Sequence, residues 1–190
     1  MTDQILKNKK IVLGITGSIA AFKSASIITM LKKRDANIRV VMTKNARKFI
    51  TSLSLQTLSQ NRVYTDMFSL DWEMRHISLG QCDILVIAPA TANIIGKIAN
   101  GICDDLLSTT VLTTEAPVLI CPAMNNKMYQ KPQVQKNIKT LKDFNYLFIE
   151  PRTGRLACNI FSKGRLPEPE EIVKEIKKIL LKRDKRSKIS

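Results

Sequence analysis

Five short, nearly continuous apolar runs constrain this chain more than any other feature: IVLGITG (11–17), IRVVMT (38–43), CDILVIAPA (82–90), PVLICPA (117–123) and YLFIE (146–150). A strand that does not alternate apolar with polar residues must be buried on both faces, as in the middle of a parallel sheet. Between the runs, apolar residues recur at helical spacing over Ile19 to Lys33, Ala46 to Leu58, 92–100, a segment ending near Val111, Lys127 to Leu141 and Glu170 to Lys182. Strand and helix in this rhythm predict an α/β fold, a doubly wound parallel sheet in a three-layer, flavodoxin- or Rossmann-like sandwich. Two stretches are less regular: Asn61 to Leu79, with Trp72 and His76, and Pro151 to Pro169. A length of 190 residues fits one domain with a sizeable core. We expect that domain over 1–182 and a basic tail without fixed structure over 183–190.

Composition narrows the function classes. Hydrophobic residues make up 44% and charged residues 25%, as in ordinary globular chains. No apolar run is long enough to span a membrane, and the opening MTDQILKNKK lacks the apolar core of a signal peptide, so the expected location is the cytosol and no membrane partner is expected. Four cysteines (Cys82, Cys103, Cys121, Cys158) show no CxxC pairing and read as thiols. A single histidine excludes a His-rich metal site, and no ligand spacing suggests another metal. The net charge of +15 is concentrated at the termini and carries no aromatic-interleaved basic patch, so nucleic acid is not an expected partner. A basic surface suits an anionic small-molecule substrate better.

In such sheets the ligand lies beyond the carboxyl ends of the strands. Four of the five runs end there in small or polar clusters: GITGSIAA, VMTKNARKF, IAPATAN and CPAMNN. The first has Gly14 and Gly17 but not the G-x-G-x-x-G of dinucleotide sites. The second ends Met42-Thr43-Lys44-Asn45, with no carboxylate for an adenosine ribose. A P-loop is absent too, because Lys23-Ser24 falls too deep in the following helix. What remains is a Gly17–Ser18 entry to a helix N-terminus, where backbone N–H groups and the helix dipole suit one phosphate. Ser18 can cap that helix as well as donate to a phosphate; by itself the motif needs nothing more than the cap. One phosphate site beside several neutral polar strand ends points to a mononucleotide such as FMN.

At GSIAAFK, APATANIIGKIANGICDDLL (88–107) and PAMNNKMY (122–129) the chain resembles the homo-oligomeric flavin-containing cysteine decarboxylases. His76 in RHISL and Cys158 in LACNIFSKGRLPEP are similar to the phosphopantothenoylcysteine decarboxylase branch, and the resemblance runs from Lys10 to about Leu180. It implies FMN-dependent oxidation of the cysteine part of 4′-phospho-N-pantothenoylcysteine to a thioaldehyde. The carboxylate, then β to the thiocarbonyl, leaves as CO2, and the enethiolate is reduced and protonated to 4′-phosphopantetheine. It also implies a homo-oligomer, a trimer or a tetramer of trimers.

The resemblance gives residues their tasks. His76, on a loop before a strand, accepts a proton or orients substrate. Asn125 holds the substrate carboxylate through a neutral amide, which suits a group that must leave, and its type also suits a helix N-cap. Cys158 protonates the enethiolate. Lys163 and Arg165 in the same loop bind anionic parts of the substrate. Met128 stands beside the substrate, although Met124 and Met128, four apart, have the spacing of packing residues. The flavin wall draws on Gly17, Ser18, Ile19, Thr43, Phe49, Ala88, Thr91 and Ala123. Two departures from the family pattern stand out: Asn159, Ser162 and Leu166 replace two glycines and a methionine after Cys158, and Tyr129 replaces a tryptophan. A peptidyl-cysteine decarboxylase, a flavin prenyltransferase and a flavin-binding regulatory subunit of a phosphatase are the alternatives. The Cys158 loop, the PAMN-x-x-M block and the lack of long acidic extensions argue against them in turn. The second domain that ligates cysteine to phosphopantothenate in many relatives is not expected in this chain.

Overall fold

The computed structural model describes residues 4–68, 74–155 and 161–186. Six strands form one parallel sheet: β1 (Lys10–Ile15), β2 (Asn37–Met42), β3 (Val63–Tyr64), β4 (Ile84–Ala90), β5 (Val118–Pro122) and β6 (Leu147–Phe148). Their order is β3-β2-β1-β4-β5-β6, so the winding reverses between β1 and β4, and ligand crevices open beside that reversal. The helices are α1 (Lys23–Lys32), α2 (Ser52–Ser59), α3 (Arg75–Gly80), α4 (Ala92–Ala99), α5 (Leu106–Thr113), α6 (Asn126–Gln130), α7 (Pro132–Asp143) and α8 (Pro169–Arg186). A separate antiparallel hairpin joins β7 (Arg152–Arg155) to β8 (Phe161–Arg165).

Strand pleating divides the core into two layers. Ile11, Leu13 and Ile15 of β1 join Ile27 and Leu31 of α1 and Ile172 and Ile176 of α8 on one face. Val12 of β1, with Leu85 and Ile87 of β4, meets α4, α5 and α7 through Ile94, Leu107 and Ile138 on the other. Successive side chains point to opposite faces, so a run apolar at every position supplies both layers.

Several elements differ from expectation. A sixth strand, β3, pairs with β2 inside the stretch read as irregular; two residues are too few for a period to register. The helix expected over Lys127 to Leu141 is two helices, because Pro132 has no N–H to continue α6 and instead opens α7. His76 lies on α3 rather than on a loop. The last helix runs to Arg186, four residues into the segment expected as a tail; Lys9 and Asp184 pair there at 3.1 Å. Among the described residues, no helix is long and apolar enough to cross a membrane.

Candidate active site

Beyond the carboxyl ends of β1 and β5 the structure holds a cleft of about 560 Å³, a size ordinary for small-ligand sites. One wall is the turn after β1, with Ser18, Ile19, Ala20 and Phe22; the Ser18 side chain accepts from Ala20 N at 3.3 Å. That turn is a four-residue 3-10 segment rather than the start of an α-helix, and it brings Lys23 to the cleft at the first position of α1. Gly17 is required by close approach, since an added Cβ would lie 2.5 Å from Asn45 Cβ in the neighbouring turn. Behind it, buried Thr16 donates through Oγ1 to Pro89 O (2.8 Å) and accepts from Thr91 N (3.0 Å), which fixes the ends of β1 and β4 together.

The second wall is the end of β5, Ala123, Met124 and Asn125. Asn125 caps α6, its Oδ1 accepting from Lys127 N at 2.8 Å, so the capping task and a place in the cleft coincide. The third wall is the hairpin, which contributes Arg155, Gly164, Arg165 and then Leu166. Gly164 is the extra residue of a bulge, because Arg152 pairs with Arg165 and Thr153 with Lys163. Its carbonyl accepts from Met124 N at 3.0 Å, joining the second and third walls.

The rim is cationic. Lys23 and Arg165 share one carboxylate, Glu168, at 2.7 and 3.3 Å. The hydrogen bond from Lys23 holds Glu168 below the usual carboxylate range. Apolar surface accompanies the charge, with Ile19 and Phe22 each more than half exposed.

Among the sequence-derived site residues, Ser18, Ile19, Ala123, Asn125 and Arg165 are brought together here. Gly17, Thr43 and Thr91 lie at the adjoining strand ends, and Phe49 is partly exposed in the turn after β2. Ala88 is wholly buried, its carbonyl accepting from Ser24 Oγ at 2.9 Å, and does not line the cleft. Met128 is half exposed on α6, and Lys163 turns its ammonium to Glu150; neither lines the cleft. His76 is not brought to it either: its carbonyl accepts from Thr113 Oγ1 of α5 at 3.2 Å. Cys158 lies outside the described residues. Lys23, Phe22, Arg155 and Met124 were not assigned to the site from sequence. The GSIAAFK block contains Lys23, but its place depends on the 3-10 turn.

A larger groove of about 930 Å³ lies at the opposite end of the sheet, where β5 and β6 begin, lined by residues such as Thr114, Phe144 and Lys178. It holds none of the residues singled out above. The lining of the 560 Å³ cleft combines apolar, amide and cationic groups.

A cleft outside the carboxyl ends of a doubly wound sheet, apolar on one side and cationic at its rim, defines an α/β protein with a site suited to a small ligand that carries negative charge. Residues 2–181 match the Flavoprotein family, and the chain belongs to it. It is 46% identical over 173 residues to the coenzyme A biosynthesis bifunctional protein CoaBC of Bacillus subtilis (strain 168), covering 90% of this chain and 43% of that protein. The chain thus spans less than half the length of the curated relatives it matches. In structure it is similar to a PPC decarboxylase, a cysteine-to-serine mutant complexed with pantothenoylaminoethenethiol, at 29% identity and a TM-score of 0.80, covering 90% of this chain and 97% of that one. It is also similar to SpaF, an FMN-dependent cysteine decarboxylase, at 31% identity and a TM-score of 0.80, covering 94% and 98%.

Proposed function

We propose that this chain is a carbon–carbon lyase, an FMN-dependent decarboxylase that converts 4′-phospho-N-pantothenoylcysteine to 4′-phosphopantetheine in coenzyme A biosynthesis. The observation that carries this reading is the meeting in one cleft of the Ser18 turn and the Asn125 turn, faced by a hairpin bearing Arg155 and Arg165. The likenesses to CoaBC and to a PPC decarboxylase support the substrate.

The residues present fit FMN. Ile19, Phe22 and Met124 offer apolar surface to a flat ring, and Ser18, Lys23 and the two arginines offer a hydroxyl and positive charge to a phosphate. When bound, FMN supplies the acceptance and return of a hydride. The protein binds, orients and protonates. Asn125, its rotamer fixed by the bond to Lys127 N, meets the substrate carboxylate with amide donors and no charge. That avoids an ion pair that would stabilise the carboxylate before it leaves. Cys158, in the segment between β7 and β8, delivers the proton to the enethiolate carbon.

His76 serves the cleft of a second copy. It sits on α3 against α5, and the apolar side chains of Met74 just before α3, Ile77 on α3 and Leu112 on α5 are exposed there. Covering them makes the enzyme a homo-oligomer, a trimer or a tetramer of trimers, acting in the cytoplasm as one flavin-binding domain that includes α8 to Arg186.

The purified protein should be yellow, or become so when FMN is added, and should release CO2 from 4′-phospho-N-pantothenoylcysteine. Protein that stays colourless after FMN addition sinks the cofactor assignment. Release of CO2 only from peptides ending in cysteine sinks the substrate. A Cys158→Ser variant should still release CO2 but stop at the oxidised enethiol; phosphopantetheine made at the normal rate refutes the proton-donor role. Light scattering tests the oligomer. Mixing inactive His76→Asn and Asn125→Asp proteins should restore activity if each cleft borrows His76 from a neighbour.

A further inference from the structure

Three elements meet at Glu150, just after β6. Its carboxylate accepts from Tyr129 Oη on α6 at 2.7 Å, from Lys163 Nζ on β8 at 2.9 Å and from Lys142 Nζ on α7 at 3.0 Å. The Lys163 ammonium also stands 5.4 Å from the centroid of the Tyr129 ring, within cation–π range. Tyr129 is only 7% exposed, so its hydroxyl depends on the partner that Glu150 provides. Neither Tyr129 nor Lys163 lines the cleft, yet each is tied to a wall of it. Tyr129 N donates to Asn125 O at 3.0 Å, one turn back along α6. Lys163 precedes Gly164, whose carbonyl receives Met124 N, and Arg165 follows.

We infer that Glu150 is a positioning residue: its clasp with Tyr129 and Lys163 sets the separation between the Met124–Asn125 wall and the Gly164–Arg165 wall of the cleft. Among the described residues the hairpin belongs to a sheet of its own, with no ladder pairing to the main sheet. Arg152 pairs with Glu171 on α8 and Arg165 with Glu168, while the Gly164–Met124 bond and the clasp are the ties to the Asn125–α6 side. The hydrogen bond from Lys163, helped by Tyr129 and Lys142, keeps the Glu150 carboxyl near 2, so the clasp is ionised throughout the neutral range. A tryptophan at position 129 would carry its N–H elsewhere, so the phenol is the group suited to this carboxylate.

The inference rests on the proposed function only for the choice of FMN as probe. Two quantities are read in the full chain: exchange of the Met124 amide by NMR, and FMN affinity by quenching of flavin fluorescence. In Glu150→Gln and in Lys163→Met, Met124 exchange should quicken about tenfold and the FMN Kd should rise about threefold or more, while amides of β4 such as Val86 keep their protection. Lys163→Arg keeps both the ion pair and the ring contact and should behave as wild type. Lys163 is exposed, so Lys163→Met decides the matter if Glu150→Gln does not fold. Exchange and Kd both within twofold of wild type overturn the inference. Faster exchange with unchanged affinity overturns it too, because the clasp would then stiffen the hairpin without positioning the cleft. If the wild-type chain takes up no FMN, the flavin reading fails, and Met124 exchange alone upholds or overturns the clasp.

Discussion

Replacing Gly164 with alanine should open the cleft from its hairpin side. At φ +152 this residue occupies a region that L side chains rarely adopt, and an added Cβ would lie 2.3 Å from the Met124 carbonyl oxygen and 3.4 Å from Asn126 N. Ordinary contact with the Met124 oxygen requires a retreat of about 1 Å, and that obstructing atom is backbone. A shift of that size breaks the 3.0 Å bond from Met124 N to the Gly164 carbonyl. The lost bond costs about 1 kcal/mol and the strained backbone about 1–3 kcal/mol, together about 2–4 kcal/mol, or roughly 30- to 1,000-fold in the opening equilibrium. Because the hairpin is a separate sheet, the loss should fall on local opening more than on global unfolding. NMR exchange should show the Met124 amide accelerated within that range, while the urea midpoint moves little. FMN affinity should fall in parallel. A Gly164→Ala protein whose Met124 amide exchanges within threefold of wild type would refute the claim that this backbone contact joins the two walls.

Three further outcomes are expected. Asn125→Asp keeps the α6 cap but opposes the substrate carboxylate; two like charges near 4 Å repel by about 4 kcal/mol at an intermediate dielectric, so kcat/KM should fall about 10³-fold with the urea midpoint unchanged. Activity within tenfold of wild type removes the carboxylate from Asn125. Thr16→Val leaves Pro89 O and Thr91 N without their buried partner and should cost about 2–4 kcal/mol in urea unfolding, whereas an exposed control such as Thr57→Val should cost little. For pH, Glu150 is held below its ordinary value of 4.5, at about 2, so its contribution is complete above about pH 4.5 and is lost as pH falls toward 2. Melting temperature followed from pH 6 to pH 2.5 should drop more steeply in wild type than in Glu150→Gln; parallel curves would exclude a native-state role for this carboxylate.

The Asn125 segment illustrates what could be read early. Its strand, its cap and its amide chemistry are local properties of CPAMNN, and the structure places that residue both on α6 and in the cleft. The four central strands were legible for the same reason: a doubly buried strand writes its burial into every successive residue. Lys23 was not legible, because its position depends on a 3-10 turn that the helical period passes over. Ala88 does not line the cleft, and a small residue at a strand end looks the same whether it faces a ligand or packs in the core. His76 was assigned by type and resemblance, but only the packing of α3 on α5 shows that it stands apart from the cleft of its own chain.

The sequence by itself determined the parallel α/β sheet, the end of the sheet that carries the site, the serine and asparagine turns that frame it and the resemblance from which a flavin enzyme was expected. These follow from periodicity, capping and residue chemistry within a few positions of one another. Only the tertiary structure decided that β3 extends the sheet, that Lys23 and Arg165 meet at Glu168, and that Glu150 gathers Tyr129 and Lys163. Apart from Arg165 with Glu168, three positions on, those are contacts between residues far apart along the chain. No local pattern records them, because they exist only where folded elements bring their side chains within hydrogen-bonding reach.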